Sequence, residues 1–141
     1  MKISIITPTF NSASYIARNL NSIQAQTFIK IQHIIIDNLS SDETLAIIKS
    51  ISPKSIVHSQ SDKGISDAFN KGIEASNCDI IGILNSDDEY YDENVLKRVS
   101  DAFEDPSVDF VHGDMLFIDK EHGTNVRRPL LCPLSYAMPF N

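Results

Sequence analysis

One repeated pattern constrains this chain more than anything else in it. Short β-branched runs end in polar clusters, and each is followed by an amphipathic segment. Ile3, Ile5 and Ile6 form the first run, which ends at Thr7–Pro8–Thr9, where proline is expected to stop the ladder. Ile16, Leu20 and Ile23 then recur at helical spacing, with Ser12 or Ser14 as the expected N-cap. The run Ile31 to Asp37 ends on a carboxylate. The loop NLSSDET follows, with Ser40 and Glu43 at capping-box spacing, and Leu45, Ile48 and Ile51 share the next helical face. Lys54 to Gln60 reads as a third strand and Ile65 to Ser76 as a helix. Asp79 to Leu84 reads as a fourth strand, apolar on both faces as a central strand would be. Val95, Leu96, Val99 and Phe103 line the following helix.

After that helix the pattern changes. VDFVHG, DMLFID and TNVRR, with a turn at Glu121–His122–Gly123, read as successive strands that include a hairpin. The expected fold is therefore α/β: a mostly parallel sheet flanked by helices, with a short antiparallel part near the C-terminus. At 141 residues, a single domain spanning 1–141 is expected.

Open parallel sheets place ligands at the carboxyl ends of their strands. Here those ends carry Thr7–Pro8–Thr9, Asp37–Asn38 and Asn85–Ser86–Asp87–Asp88. Adjacent carboxylates repel unless they are solvated or share a cation. Asp87 and Asp88 at a strand end thus suit Mg²⁺ or Mn²⁺, which takes one or two carboxylates and completes its shell with water and substrate phosphates. Asn11, Asn38 and Asn85 carry amides suited to a base edge or a ribose hydroxyl. Neither a GxxxxGK[ST] loop nor a GxGxxG after the first strand is present, which weakens ATPase and dinucleotide readings.

Composition excludes further classes. A net charge of −7 argues against nucleic acid as partner. No apolar run approaches the roughly 20 residues that span a bilayer, and the first ten residues do not read as a signal peptide. A cytoplasmic protein is expected, compatible with peripheral work at the inner face of a membrane. Cys78 and Cys132 lack metal-ligand spacing and read as reduced thiols. His33 and His58 lie in apolar strands and read as structural; His112, before Gly113–Asp114, is a weaker site candidate.

Four stretches in order, ISIITPTFN, IIIDNLSSDETL, SDKGISDAFNKGIEAS and DIIGILNSDDEYYDENVL, resemble the family 2 glycosyltransferases with a GT-A fold over residues 2 to about 118. The resemblance implies a nucleotide-diphosphate sugar donor, with a UDP-sugar expected. It also implies a saccharide or lipid-linked acceptor, and a role in bacterial polysaccharide synthesis. By the same resemblance Thr7, Pro8, Thr9 and Asn11 lie against the nucleotide, Asp37 and Asn38 contact the base, and Asp62 to Asn70, with Asp67 among them, line the sugar-phosphate. Asn85 belongs to the same strand end. Asp88 is implied as the leading metal ligand, with Asp87 nearer the ribose or sugar.

Two departures stand out. Many relatives have a second aspartate and then glycine where this chain has Asn38 and Leu39. Asn38 is expected to accept through its amide oxygen, and Leu39, which disfavours positive φ, to give a different loop conformation. The family's general base comes later in the chain than Asp114 or Asp119, so no catalytic base is assigned, and a donor-binding portion cut before the acceptor half is expected. A non-catalytic nucleotide-sugar-binding module is the alternative. A metal-dependent phosphohydrolase is weaker still, because no aspartate directly follows the first strand.

Overall fold

A computed structural model describes residues 1–118 and 125–128. The chain forms two compact units, Met1–Ser100 and Asp101–Asn141. In the first, β1 (Ile3–Thr9), β2 (Ile31–Asp37), β3 (Ile56–Ser59) and β4 (Ile80–Ile83) form a parallel sheet in the order β3-β2-β1-β4. The helices α1 (Ile16–Gln24), α2 (Thr44–Ile51) and α3 (Ile65–Ala75) alternate with these strands, and α4 (Val95–Ala102) follows β4.

The two faces of the sheet bury different side chains because strand residues alternate. Ile6, Ile34 and Ile36 pack with Ala68 of α3. Ile35 packs on the opposite face with Ile16, Leu20 and Ile48 of α1 and α2. Every residue of β1 is buried. Where α3 crosses β1 the approach is close: a Cβ on Gly72 would overlap Cγ2 of Ile6.

Several expectations need correction. Pro8 does not end the first strand; β1 runs through it to Thr9, in register with Ile36. The Leu84 N–H bonds to the Ile6 carbonyl while the Asn38 N–H bonds to the Thr9 carbonyl, so even-numbered positions face β4 and odd ones face β2. The ladder with β4 ends at Ile6, so Pro8 lacks a donor only where no strand asks for one. β4 is an edge strand among the described residues, with Ile81 and Ile83 42% and 50% exposed. Its apolar composition reflects β propensity and does not count its neighbours.

Neither Ser12 nor Ser14 is the N-cap of α1; that position is Tyr15, whose side chain does not cap the helix. The Ser40–Glu43 capping box is not made either. Glu43 is the N-cap of α2, and the Asp42 carboxylate accepts from the Thr44 N–H at 3.0 Å instead.

In the second unit β5 (Met115–Ile118) pairs antiparallel with β6 (Asn125–Arg128), as a hairpin should. VDFVHG forms no strand. The turn at 121–123 and Asp119 lie outside the described residues. No helix among the described residues is long and apolar enough to cross a membrane.

His33 sits buried on the face covered by α1 and α2. Its Nε2 bonds to the Thr7 hydroxyl at 3.0 Å and its Nδ1 to the Ser55 hydroxyl at 3.0 Å. Burial disfavours the imidazolium and lowers its pKa from 6.5 to about 4. The unfolded chain therefore binds the proton more readily. Stability from this group is complete above about pH 6.5 and is lost as pH falls toward 4, by on the order of 3 kcal/mol. Urea unfolding of the wild type should show this decline between pH 6.5 and 4, and a His33→Gln variant should flatten it. At the α3–β1 crossing, Gly72→Ala should cost about 1–3 kcal/mol, since a methyl must displace the Ile6 side chain. Urea midpoints at pH 7 measure it.

Candidate functional site

The carboxyl ends of β1, β2 and β4 and the start of α3 enclose a cleft of about 450 Å³. β1 contributes Pro8 and Thr9, with Phe10 just beyond it. Asn38 comes from the turn after β2. Asp62, Gly64, Ile65 and Ala68 come from the segment that opens α3, and Asn85, Ser86 and Asp87 from the turn after β4. The cleft joins apolar surface, from half-exposed Phe10 and Ile65, to amides and carboxylates.

Of the residues expected from sequence, Pro8, Thr9, Asn38, Asp62, Asn85 and Asp87 line the cleft. The others do not, each for a structural reason. Thr7 is fully buried, its hydroxyl spent on His33. Asp37 is also fully buried: it accepts from the N–H and hydroxyl of Ser40 and from the Ser59 hydroxyl at 2.6 Å. It organises the loop after β2 and has no surface to offer a ligand. Asn11 is exposed, but its side-chain oxygen accepts the Ser41 N–H at 2.9 Å, tying the loops after β1 and β2 together. Asp67 pairs with Lys71 at 3.0 Å on α3; that hydrogen bond, then the Lys63 N–H, holds its carboxyl below the usual range.

The two adjacent carboxylates differ. Asp87 is exposed and faces the cleft, whereas Asp88 is half-buried, with Asn85 Nδ2 3.4 Å from its Oδ2. Burial first, and the charge of Asp87 second, raise the Asp88 pKa above the ordinary carboxylate value; the Asn85 amide offsets part of this. Among the described residues no basic side chain pairs with either carboxylate. The side-chain oxygens of Asn85 and Thr9 are buried without a partner. No group of three or more His, Cys, Asp or Glu that could hold a metal occurs among the described residues. Two adjacent carboxylates without a basic partner, one of them half-buried, beside an orphan amide oxygen, fit a hard divalent ion that keeps water or phosphate in its remaining positions.

The sequence profile described as Glycosyl transferase family 2 matches residues 4–140. The chain belongs to that family. A PGL/p-HBAD biosynthesis glycosyltransferase from Mycobacterium bovis (strain BCG / Pasteur 1173P2) is 36% identical over 120 residues, covering 80% of this chain and 46% of that protein. The chain thus spans about half the length of such relatives. Among solved structures, S. aureus TarS 1-349 in complex with UDP-GlcNAc shares 28% identity at a TM-score of 0.66, over 76% of this chain and 32% of that one. The mannosyltransferase PcManGT from Pyrobaculum calidifontis, in complex with GDP-Man and Mn²⁺, has a TM-score of 0.69 at 22% identity, over 76% of this chain and 33% of that one. The fold is the GT-A α/β fold.

Against that family pattern the loop after β2 behaves unexpectedly. Leu39 adopts φ +55°, the left-handed conformation that glycine takes without strain. Leucine, which disfavours positive φ, adopts it here all the same. Asp37 grips Ser40 on one side of it, and on the other the Asn38 Oδ1 accepts the Asp62 N–H at 3.0 Å. Leucine follows because its neighbours are held. Gly64, at φ +110°, serves the same purpose at the start of α3 without strain.

Sequence reasoning missed the polar side of α1 and the residue just past it. Asn19 and Ser22 lie beside the apolar stripe Ile16–Leu20–Ile23, Gln26 follows the helix end, and all three bond to the segment after β4. Polar residues at core-adjacent helical positions were the available signal.

Leu39 is 56% exposed, so its replacement loses little burial. Leu39→Gly should relieve about 1 kcal/mol of backbone strain and raise the urea midpoint.

Proposed function

We propose that this chain supplies the donor site of a glycosyltransferase that moves a sugar from a nucleotide-diphosphate sugar to a saccharide or lipid-linked acceptor. The observation that carries this reading is a single cleft, in a member of glycosyl transferase family 2, that gathers Asn38, Asp62 and Asp87 at the carboxyl edge of the sheet. Likeness to a UDP-GlcNAc complex at 28% identity supports a UDP-sugar donor. A bacterial polysaccharide pathway and a cytoplasmic site of action belong to the same proposal.

Mg²⁺ or Mn²⁺ would be held by Asp88, the leading ligand, together with Asp87, which lines the cleft. Bound there, the cation would neutralise the diphosphate of the donor. The reaction proposed is a single displacement with inversion. The acceptor oxygen bonds to the anomeric carbon as the nucleoside diphosphate leaves, and the acceptor proton passes to a general base.

The base end of the cleft has a defined polarity. Asn38 Oδ1 accepts the Asp62 N–H, as a sequence-expected acceptor can, and its amide NH2 offers the cleft a donor. Asp62 gives one carboxylate oxygen to the Gly64 N–H at 2.8 Å and keeps the other as an acceptor. A donor beside an acceptor complements a C=O next to an N–H, the edge of uracil or guanine. Cytosine presents the reverse order.

Calorimetric titration tests the whole reading. UDP should bind in the presence of Mn²⁺, and chelation or Asp87→Ala should weaken it at least tenfold. The Mn²⁺-dependent part should fade on acidification sooner than for an ordinary carboxylate pair, because the Asp88 pKa is raised and the cation needs its charge. CDP should bind more weakly than UDP, and Asn38→Asp, which exchanges a donor for an acceptor, should narrow that preference. Absence of UDP binding with and without Mn²⁺ would overturn the proposal.

A further inference from the structure

The turn that carries Asp87 and Asp88 is held from below by one side chain. Asn19 of α1 is completely buried. Its Nδ2 donates to the Asn85 carbonyl at 2.8 Å and to the Asp88 carbonyl at 3.1 Å. Those two carbonyls bracket the turn, which the Asp88 N–H closes onto the Asn85 carbonyl at 3.0 Å. One nitrogen with two hydrogens thus spans both ends of the four-residue turn, with Asp87 inside it. Hydroxyl, carboxylate and aliphatic side chains cannot make this bridge, since none has two donors on one atom.

The same amide carries a cost that a space-filling role would not incur. Asn19 Oδ1 is buried and has no partner among the described residues. Burying an unsatisfied acceptor is unfavourable, and an aliphatic residue of similar size would avoid it. What the position uses is therefore the donor pair. Neighbouring holds confine the rest of the segment: the Ser12 and Ser86 hydroxyls bond at 2.9 Å, and the Tyr90 N–H donates to the Ser22 hydroxyl at 3.1 Å. Among the described residues only Asn19 grips both ends of the acidic turn.

We infer that Asn19 is a positioning residue for the Asp87–Asp88 pair, setting the backbone of the turn so that the carboxylates meet a divalent cation in a fixed geometry. This rests on the proposed donor site. Asn19 touches neither cation nor nucleotide; it acts through the backbone of residues 85–88.

The test compares wild type, Asn19→Leu and Ile48→Ala by titration of UDP with Mn²⁺ and with chelator, together with the electron paramagnetic resonance spectrum of Mn²⁺ in the UDP complex. Ile48 belongs to the core under α2 and serves as a destabilised control away from the turn. Asn19→Leu should lose at least tenfold of the Mn²⁺-dependent gain in UDP affinity, keep its affinity in chelator within about twofold, and alter the Mn²⁺ spectrum. Ile48→Ala should keep the full gain. Should Asn19→Leu fail to fold, Asn19→Ser, which retains a single donor, carries the same expectation. An unchanged Mn²⁺ gain in the folded Asn19 variant, or an equal loss in Ile48→Ala, would overturn the inference and leave the donor site standing. No Mn²⁺-dependent UDP binding in wild type would overturn the donor site and this inference with it.

Discussion

The parallel pairing of β1 between β2 and β4 is the constraint on which the rest of this structure depends. β1 is buried along its whole length, with Ile3, Ile5 and Ile6 at 0% exposure, so it cannot form without helices on both faces. Parallel strands need a crossover between each pair, and the crossover helices supply that cover. The same geometry sends every strand end out on one edge. Polar groups that could not be buried in the sheet collect there, and the cleft is the result. Binding chemistry and core formation are in this sense one event.

At that edge the structure separates carboxylates that look alike in sequence. Asp37 and Asp87 both follow isoleucine-rich strands. Asp37 turns inward, where two serines satisfy it, and becomes the anchor of a loop. Asp87 meets no cation or donor among the described residues and faces the cleft. The loop that Asp37 anchors is tied to the loop before α3 through Asn38 and to the loop after β1 through Asn11. Three loops are therefore mutually braced, which explains how Leu39 is kept in a left-handed conformation. Strain of this kind persists only where surrounding contacts over-determine the backbone.

Much of the fold was legible because it is written in local periodicity. Ile16–Leu20–Ile23 gives α1, Leu45–Ile48–Ile51 gives α2, and the isoleucine runs give β2 and β4 within a residue and the start, not the end, of β1. The hairpin at the C-terminal end was legible for the same reason, whereas VDFVHG has strand-like composition and forms none. Helix starts were misread at both Ser12 and Ser40. Each is a good cap by type, yet each hydroxyl is claimed elsewhere, Ser12 by Ser86 and Ser40 by Asp37. Capping propensity is a local preference, and a tertiary partner outcompetes it.

By itself the sequence determined the α/β class, the edge of the sheet where a ligand can sit, and the family whose ordered motifs it carries. All three follow from hydrophobic period and residue order, which act over a few positions at a time. Tertiary structure alone decided which groups remain free. Thr7 is consumed by His33, 26 positions away; Asn38 gives its oxygen to Asp62, 24 away; and Asn19 reaches Asn85 across 66. A hydrogen bond between distant loops leaves no periodic trace in the chain. Yet it decides whether a side chain faces a ligand as donor, as acceptor or not at all, and that information exists only once the loops have been brought together.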